Sequence, residues 1–512
     1  MSETRPDAFK RNLGLLDLTM IGFGSIFGSG WLFAAAHVAD VAGPASILSW
    51  IIGGVAVLLL GVIYCELGAA LPVAGGVVRF PETSHGPVAG FLMGLITTIA
   101  FTSLIAIEIV AARQYAGAWI PGLNRDAAGN PTLTGWCLQT AVLAVLYAIN
   151  RRGIATFALI NNIVTVFKFC VPGLVIILLL AHMHGANFSA HGFAPHGASG
   201  VQVAVSTGGI IFAYLGLTPI LAVASEVKNP QRTIPIALVA SVALSTLVYV
   251  LLQTAFIGSL PASELANGWN DISSHLPLPF HDIAVALGLG ALATLVVIDA
   301  ILSPTGTGNI YLSATPRVVY AWAKGGTLPA LFSRVDAKTG VPGPALALSF
   351  ALALFWTLPF PSWQALISVV SSALMLSYAL APTSAAGLRH SRPDMARPFR
   401  VRGFGLLSPL SFGIATLIVL WAGWNTLRWL MPTVMVLALA LMAWRATTGG
   451  RTLLRADIRS SSWMLVYFLG LFALSWAGPF GGRSLMNTAG TDVAGMIGAF
   501  ALHEWARRAA IR

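Results

Sequence analysis

Long apolar runs recur along the whole chain, and they limit its fold more than any other feature. A helix that crosses a bilayer needs about 20 mostly apolar residues. Fourteen candidate spans are present: 15–37, 45–70, 88–119, 136–149, 154–182, 203–225, 234–258, 281–320, 343–358, 362–385, 405–425, 428–444, 462–478 and 488–505. The runs at 136–149 and 343–358 are short and are expected to extend into their flanks. The run at 281–320 holds Pro304, Gly306 and Gly308. It is either one tilted helix or a helix with an interrupted stretch.

Only 9% of the 512 residues are charged, against 56% hydrophobic. An ordinary soluble domain is about 25% charged, so soluble domains of this composition could not cover their surfaces. Lipid is the expected solvent. Cys65, Cys137 and Cys170 lie far apart inside apolar runs. They form no disulfide framework and read as buried small hydrophobes. The first run lacks a cleavage pattern, so no signal peptide is expected. No Walker A motif, no CxxC pair and no nucleophile–base constellation occurs. His182, His184, His191 and His196 share one polar loop and read as incidental rather than as a metal site. The expectation is a non-enzyme without cofactor or metal.

The formal charge is +11, and its placement matters more than its sum. Cytoplasmic loops are rich in Lys and Arg. With the N-terminus inside, the inside loops hold Arg5, Lys10, Arg11, Arg79, Arg151, Arg152, Lys228 and Arg232. They continue with Arg317, Lys324, Arg334, Lys338 and the run Arg389–Arg402, then Arg445–Arg459 and Arg507–Arg512. Only Arg125, Arg428 and Arg483 fall outside, while Arg113 and Lys168 sit within apolar segments. This alternation supports an even span number with both ends cytoplasmic. Retention of inside loops accounts for the basic stretch 387–403 without nucleic acid.

Two spans carry signs of breakage. The first contains Gly22-Phe-Gly24-Ser-Ile-Phe-Gly28-Ser-Gly30. Close helix packing through a small face is one reading. An unwound midpoint is the other, and broken helices in lipid are tolerated where they line a cavity. N–H groups at Ser29, Gly30 and Trp31 would then start a half-helix whose positive end suits a carboxylate. The sixth span contains Ser206-Thr-Gly-Gly209 and Phe212-Ala-Tyr-Leu-Gly216 before Pro219. Unwinding near Tyr214–Thr218 would offer carbonyls to an ammonium. Two breaks five spans apart form a receptor for a zwitterion and fit two inverted five-helix repeats. Phe212 and Tyr214 are gate candidates, or ordinary core aromatics.

Charges within a bilayer need a reason. Lys168 in the fifth span either exchanges a proton or tethers backbone carbonyls. Glu108 and Asp299 read as proton carriers, amine contacts, or fixed partners of Lys168 or Arg113. Glu66 ends the second span and favours a gate or folding role. Arg113 either meets a second substrate carboxylate or snorkels to headgroups. Thr305 and Asn309 in the eighth span line a pathway or pack helices.

Several motifs resemble the amino acid–polyamine–organocation transporter superfamily. They are the segment Gly22–Phe33, Tyr64-Cys-Glu-Leu-Gly68 with Leu71-Pro-Val-Ala-Gly-Gly76, and Ala224-Ser-Glu-Val-Lys-Asn-Pro-Gln-Arg-Thr-Ile-Pro235. Pro316-Arg-Val-Val-Tyr-Ala-Trp-Ala-Lys-Gly-Gly-Thr-Leu-Pro329, Lys338-Thr-Gly-Val-Pro342 and Arg397-Pro-Phe-Arg400 complete the set, in the family's order over residues 12–425. Gly30-Trp-Leu-Phe33, Gly76-Val-Val-Arg-Phe-Pro81, Ser84-His-Gly86 and the fourteen spans are similar to the bacterial aspartate:proton symporter group.

The resemblance implies an all-α polytopic membrane protein with an inverted five-helix repeat core, discontinuous helices 1 and 6, and four further helices. Its parts would be a cytoplasmic N-terminus (1–14), first repeat (15–182), second repeat (203–385), basic loop (386–404), accessory helices (405–505) and tail (506–512). It implies proton-coupled uptake of an L-amino acid, with aspartate the candidate, across a bacterial inner membrane. Exchange of amino acids or amines on the same fold is the alternative. The carboxylate position would correspond to Gly28, Ser29 and Gly30, and the amine position to Phe212, Ala213 and Gly216, beside Tyr214. Lys168 would match a lysine that occupies the sodium site of sodium-coupled relatives. Partners would be the amino acid and lipid; the sequence leaves the oligomeric state open.

Overall fold

The computed structural model describes residues 13–71, 75–152, 154–214, 216–222, 227–447 and 455–511. The tail charges Arg5, Lys10, Arg11 and Arg512, the motif residues 72–74 and 224–226, and Arg451 lie outside the described residues. Regular structure in the described residues is helical, apart from two isolated β-bridges.

The helices are α1 (Leu15–Ile26), α2 (Gly30–Ala42), α3 (Ser46–Ala70), α4 (Gly76–His85), α5 (Pro87–Ala116), α6 (Leu133–Arg151) and α7 (Ile154–Leu180). Then come α8 (Gly197–Ser206), α9 (Ile210–Ala213), α10 (Leu217–Ala222), α11 (Pro230–Ser259), α12 (Ile272–His275), α13 (Pro279–Ala286) and α14 (Gly290–Lys324). The remainder are α15 (Gly343–Trp356), α16 (Trp363–Ser391), α17 (Phe404–Trp421), α18 (Trp424–Thr447), α19 (Arg455–Ala477) and α20 (Thr488–Ala509).

Among the described residues, nine stretches are long and apolar enough to cross a membrane. Apolar side chains on these and other helices also face outward, among them Val55 and Leu247, and Ile177, Leu439 and Ile497 on α7, α18 and α20. Exposed aliphatic faces on helix after helix suit lipid rather than water. The chain is an all-α, multi-pass membrane protein.

A helix that is apolar all round belongs in a core. That helix is α5, buried along nearly its whole length, with α14, α15 and α16 packed around it. On the outer side of α16 lie α17 and α20, and α19 packs on α20. Loop contacts sort into two ends. At one end Glu66 meets Arg389, His85 meets the Ala506 carbonyl, and Arg507 meets His390. At the other, Asp40 meets Ser273, the Ala45 amide meets the Phe193 carbonyl, and the Trp424 amide meets the Phe480 carbonyl. The first is the arginine-rich end of the sequence alternation.

Three sequence expectations change. The long eighth run is interrupted at 287–289, between α13 and α14, and not at its prolines; α14 runs unbroken through Pro304 and Pro316. The sixth run breaks twice, at Thr207–Gly209 and again after α9, at Tyr214. Of the cysteines only Cys65 is buried; Cys137 and Cys170 are exposed. An apolar run in a membrane helix hides a thiol from water without hiding it in protein.

Candidate functional site

Breaking a helix leaves amide and carbonyl groups that must find partners. In the first span α1 ends at Ile26 and α2 starts at Gly30. Four side chains from four other helices collect on this gap. The Ser29 amide donates to Glu108 Oε2 of α5 at 2.9 Å. Lys168 Nζ of α7 donates to the Gly24 carbonyl at 2.6 Å and to Thr307 Oγ1 of α14 at 2.6 Å. Tyr249 of α11 places its hydroxyl 3.1 Å from the Ile26 carbonyl. Trp363 of α16 donates its indole N–H to Ser29 Oγ at 3.0 Å.

Glycine is required here by close approach. A Cβ at Gly28 would overlap the Glu108 carboxylate, and one at Gly30 would lie 2.6 Å from Ala213 Cβ. The start of α2 thus touches α9 backbone to backbone. The two breaks share a wall, and Tyr249 joins them: its hydroxyl is also 2.9 Å from the Ala213 carbonyl. It donates to one of the two carbonyls at a time.

The structure therefore gathers Gly28, Ser29, Gly30, Glu108, Lys168 and Ala213. Which acid accompanies Lys168 was open in the sequence. Glu108 and Lys168 stand on the two sides of one break, a carboxylate on a freed amide and an ammonium on a freed carbonyl. Both side chains are buried. Phe212 is buried and meets Trp363 edge-on at 5.9 Å between centroids. Gly216 packs on Ile26 of α1, where a Cβ would fall 2.8 Å from the Ile26 nitrogen. Tyr214 turns toward α3 and donates its hydroxyl to the Trp50 carbonyl at 2.9 Å; it does not lie over the break. Asp299 is buried on α14, where Oδ1 accepts from Ser303 at 2.6 Å. Asn309 pairs with Asn150 of α6 at 2.7 Å, and Thr305 bonds the Ile301 carbonyl one turn back. Both join or pack helices.

Arg113 is not brought to the break. It lies five residues beyond Glu108, about 7.5 Å along α5 and about 140° around it. Its guanidinium donates to Gln139, Asn124, the Gly129 carbonyl and the Pro361 carbonyl. Four protein acceptors and near-complete burial leave it neither at the headgroups nor beside the Ser29 amide. It staples the loop 117–132 to the helix ends.

Sequence reasoning missed Trp363, Tyr249 and Thr307. Trp363 also stacks on Phe33 at 5.0 Å and on His37 at 5.5 Å, so it lids the break. A tryptophan starting a span ordinarily reads as an interfacial anchor, which masks this role. Tyr249 did give a signal: a hydroxyl inside a long apolar run must find a buried partner.

Residues 13–444 match the amino acid permease family. The chain is 47% identical over 501 residues to the aspartate-proton symporter of Bacillus subtilis (strain 168), covering 98% of this chain and 96% of that one. It is 35% identical over 486 residues to the glutamate/serine transporter AimA of the same organism, covering 93% and 90%. A methylthioribose transporter, also from Bacillus subtilis, is 26% identical over 422 residues, covering 81% and 88%. A family match over most of the chain, together with a relative 47% identical along nearly its whole length, makes this protein a member of the amino acid permease family.

Proposed function

We propose that this permease couples the uptake of an L-amino acid to proton entry by alternating access, with aspartate as the first substrate to test. One observation carries the reading: the Glu108 carboxylate rests on the Ser29 amide, at the point where an amino acid's α-carboxylate would bind. Uptake of a proton by Glu108 cancels its charge and weakens its hold on that amide. The substrate carboxylate then takes the Ser29 and Gly30 amides at the positive end of α2. Lys168, fixed to the other side of the gap, balances the charge and reports the exchange to α7 and α14. The ammonium group goes to the carbonyls at Ala213 and Tyr214, with Phe212 beside it and Gly216 keeping α10 close to α1. A ligand and a proton that favour the same conformations are coupled reciprocally.

In this reading the chain makes fourteen crossings. Residues 15–182 and 203–385 form the two inverted repeats, 386–404 the basic loop and 405–505 the accessory helices. The arginine-rich end, with both tails (1–14 and 506–512), is cytoplasmic in a bacterial inner membrane. Spans 1, 2, 6 and 7 rock against spans 3, 4, 8 and 9. Asp299 enters below as a proton carrier, and Arg113 has no part in holding substrate. The identity of 47% to an aspartate-proton symporter supports both substrate and coupling ion.

The test is reconstitution in sealed liposomes with an inward proton gradient, radiolabelled L-aspartate and an internal pH dye. Accumulation with internal acidification, abolished by a protonophore and by Lys168→Ala, is expected. Uptake only into vesicles preloaded with amino acid, without acidification, would instead make the protein an exchanger. Lys168 would then be a fixed substitute for a bound cation.

A further inference from the structure

Asp299 is fully buried, and its Oδ2 has no hydrogen-bond partner among the described residues. A charged carboxylate oxygen buried without a protein donor is costly, so this oxygen is a place where a proton is held. It also stands at the head of a polar stripe. Ser303, one turn on, donates to Asp299 Oδ1 at 2.6 Å. Thr307, one further turn on, accepts from Lys168 Nζ at 2.6 Å. Residues four apart on a helix are neighbours, so the stripe runs about 12 Å along α14. Pro304 lies inside the helix within it. Lacking an N–H, it frees the Ala300 carbonyl as a further acceptor beside Asp299.

The head of the stripe points toward the arginine-poor end. There α13 carries His281 and Asp282, partly exposed and paired at 2.8 Å. Tyr115 of α5 lies within electrostatic reach of both Asp282 and Asp299. Its hydroxyl bonds the Leu32 carbonyl at 3.1 Å. The titratable groups in electrostatic reach of Asp299 are Tyr115 from α5 and Lys168 from α7. Glu108 lies further along, against Gly308, and the His281–Asp282 pair of α13 is linked to Asp299 through Tyr115. The packed helix α15 has none.

We propose that Asp299 is the proton-entry relay, taking protons from the His281–Asp282 pair and passing them along Ser303 and Thr307 to Lys168, on a route separate from the amino acid's. The substrate reaches the break past Trp363 on α16; the proton arrives along α14. One proton moves at each step. It leaves the exposed pair for Asp299 Oδ2, giving a neutral acid. Lys168 gives a proton across the break to the Glu108 carboxylate and becomes a neutral amine. The Ser303 and Thr307 hydroxyls, each turning its O–H, then pass a proton from Asp299 to that amine. It is an ammonium again, and Asp299 returns to a carboxylate. Only O–H and N–H bonds form and break.

This inference rests on proton uptake by Glu108 as proposed above, with Lys168 as its donor, and the test separates the two. Full-length protein in liposomes would be assayed for aspartate-dependent acidification and for aspartate counterflow, which needs no net proton movement. Asp299→Asn is expected to slow acidification at least about tenfold, the lower end of proton-transfer contributions being larger still, and by much more than it slows counterflow. Asp299→Glu restores acidification with a displaced external pH profile. Equal loss of both readouts without rescue by glutamate would make Asp299 structural and overturn the relay. So would unchanged acidification in Asp299→Asn. If that variant does not fold, Ser303→Ala takes its place, and acidification at the wild-type rate overturns the proposal. A wild-type protein that moves no protons overturns the coupling reading itself.

Discussion

Glu66 offers the most direct test of how the arginine-rich end is closed. It is buried at the end of α3, and its carboxylate receives Arg389 in a fork, Nε on Oε1 at 2.7 Å and Nη2 on Oε2 at 2.5 Å. The Val401 amide donates to Oε2 at 2.8 Å, and Arg397 stands 3.7 Å from Oε1. The Arg389 guanidinium also lies 3.7 Å over the Phe404 ring. One carboxylate thus pins α16, the loop 392–403 and the start of α17 to α3. Removing one partner of a fully buried pair costs about 3–5 kcal/mol. Arg389 is 19% exposed in its side chain, so it recovers part of that from water, and about 2–3 kcal/mol remains. At about 1.4 kcal/mol per tenfold, the closed loop loses about 30- to 150-fold in its equilibrium against the open one.

Hydrogen exchange reads this equilibrium at the Val401 amide, because exchange of a protected amide follows the free energy of local opening. Glu66→Ala should raise exchange across 395–405 by that factor, while peptides of the buried α5 keep their protection. Glu66→Gln, which retains an acceptor for Val401 without the charge, should fall between. Unchanged protection at Val401 would show that Glu66 does not hold the loop. A rise shared by α5 would show general destabilisation, and either result refutes the reasoning.

Two further changes test the site and its frame. Gly30→Leu should weaken aspartate binding by about 5- to 150-fold, since overpacking at a contact this tight costs about 1–3 kcal/mol; wild-type affinity by equilibrium binding would put the carboxylate elsewhere. Asp492→Ala removes the acceptor of Gln202 at 2.7 Å and of the Trp421 indole at 2.8 Å. It should lower the unfolding temperature by a few degrees, about 1–3 kcal/mol, and slow transport with little change in substrate affinity.

What the sequence made legible was local. Four glycines within nine residues weaken a helix, so the first break was readable, and Gly-Gly at 208–209 marked the sixth span, where Gly209 adopts φ +108°. Buried charges in apolar runs singled out Glu108, Lys168 and Asp299. The partners of Glu108 and Lys168 were not readable, because those partners are distant in the chain. Ser29 and Glu108 are 79 residues apart, and Lys168 and Thr307 are 139 apart. Arg113 shows the same limit. Its charge was visible, but its acceptors come from a loop, a neighbouring helix and the approach to α16, which only packing brings together. The basic loop at 387–403 suffered the reverse error of emphasis. Positive charge near a membrane is so well explained by retention that its clasp on Glu66 left no separate trace.

The geometry of α20 bears on how the two ends can open in turn. Near one end of the helix Asp492 holds α8 and α17. Near the other, the Ala506 carbonyl meets His85 at 2.9 Å, and the Ile511 amide meets the Ser84 carbonyl at 2.8 Å. Between these ties His503 bonds Ser408 at 2.8 Å. Fourteen residues of helix separate Asp492 from Ala506, about 21 Å of a strut that cannot stretch. It therefore links the upper part of the broken sixth span to the joint between α4 and α5. In the alternating-access reading proposed above, movement of α8 at one end would tilt the strut and load its contacts with Ser84 and His85 at the other. The His85 and Trp463 rings meet there at 5.6 Å between centroids, and packed side chains exchange between discrete arrangements rather than deform smoothly. In that reading, α20 would tie the opening of one end to the state of the other.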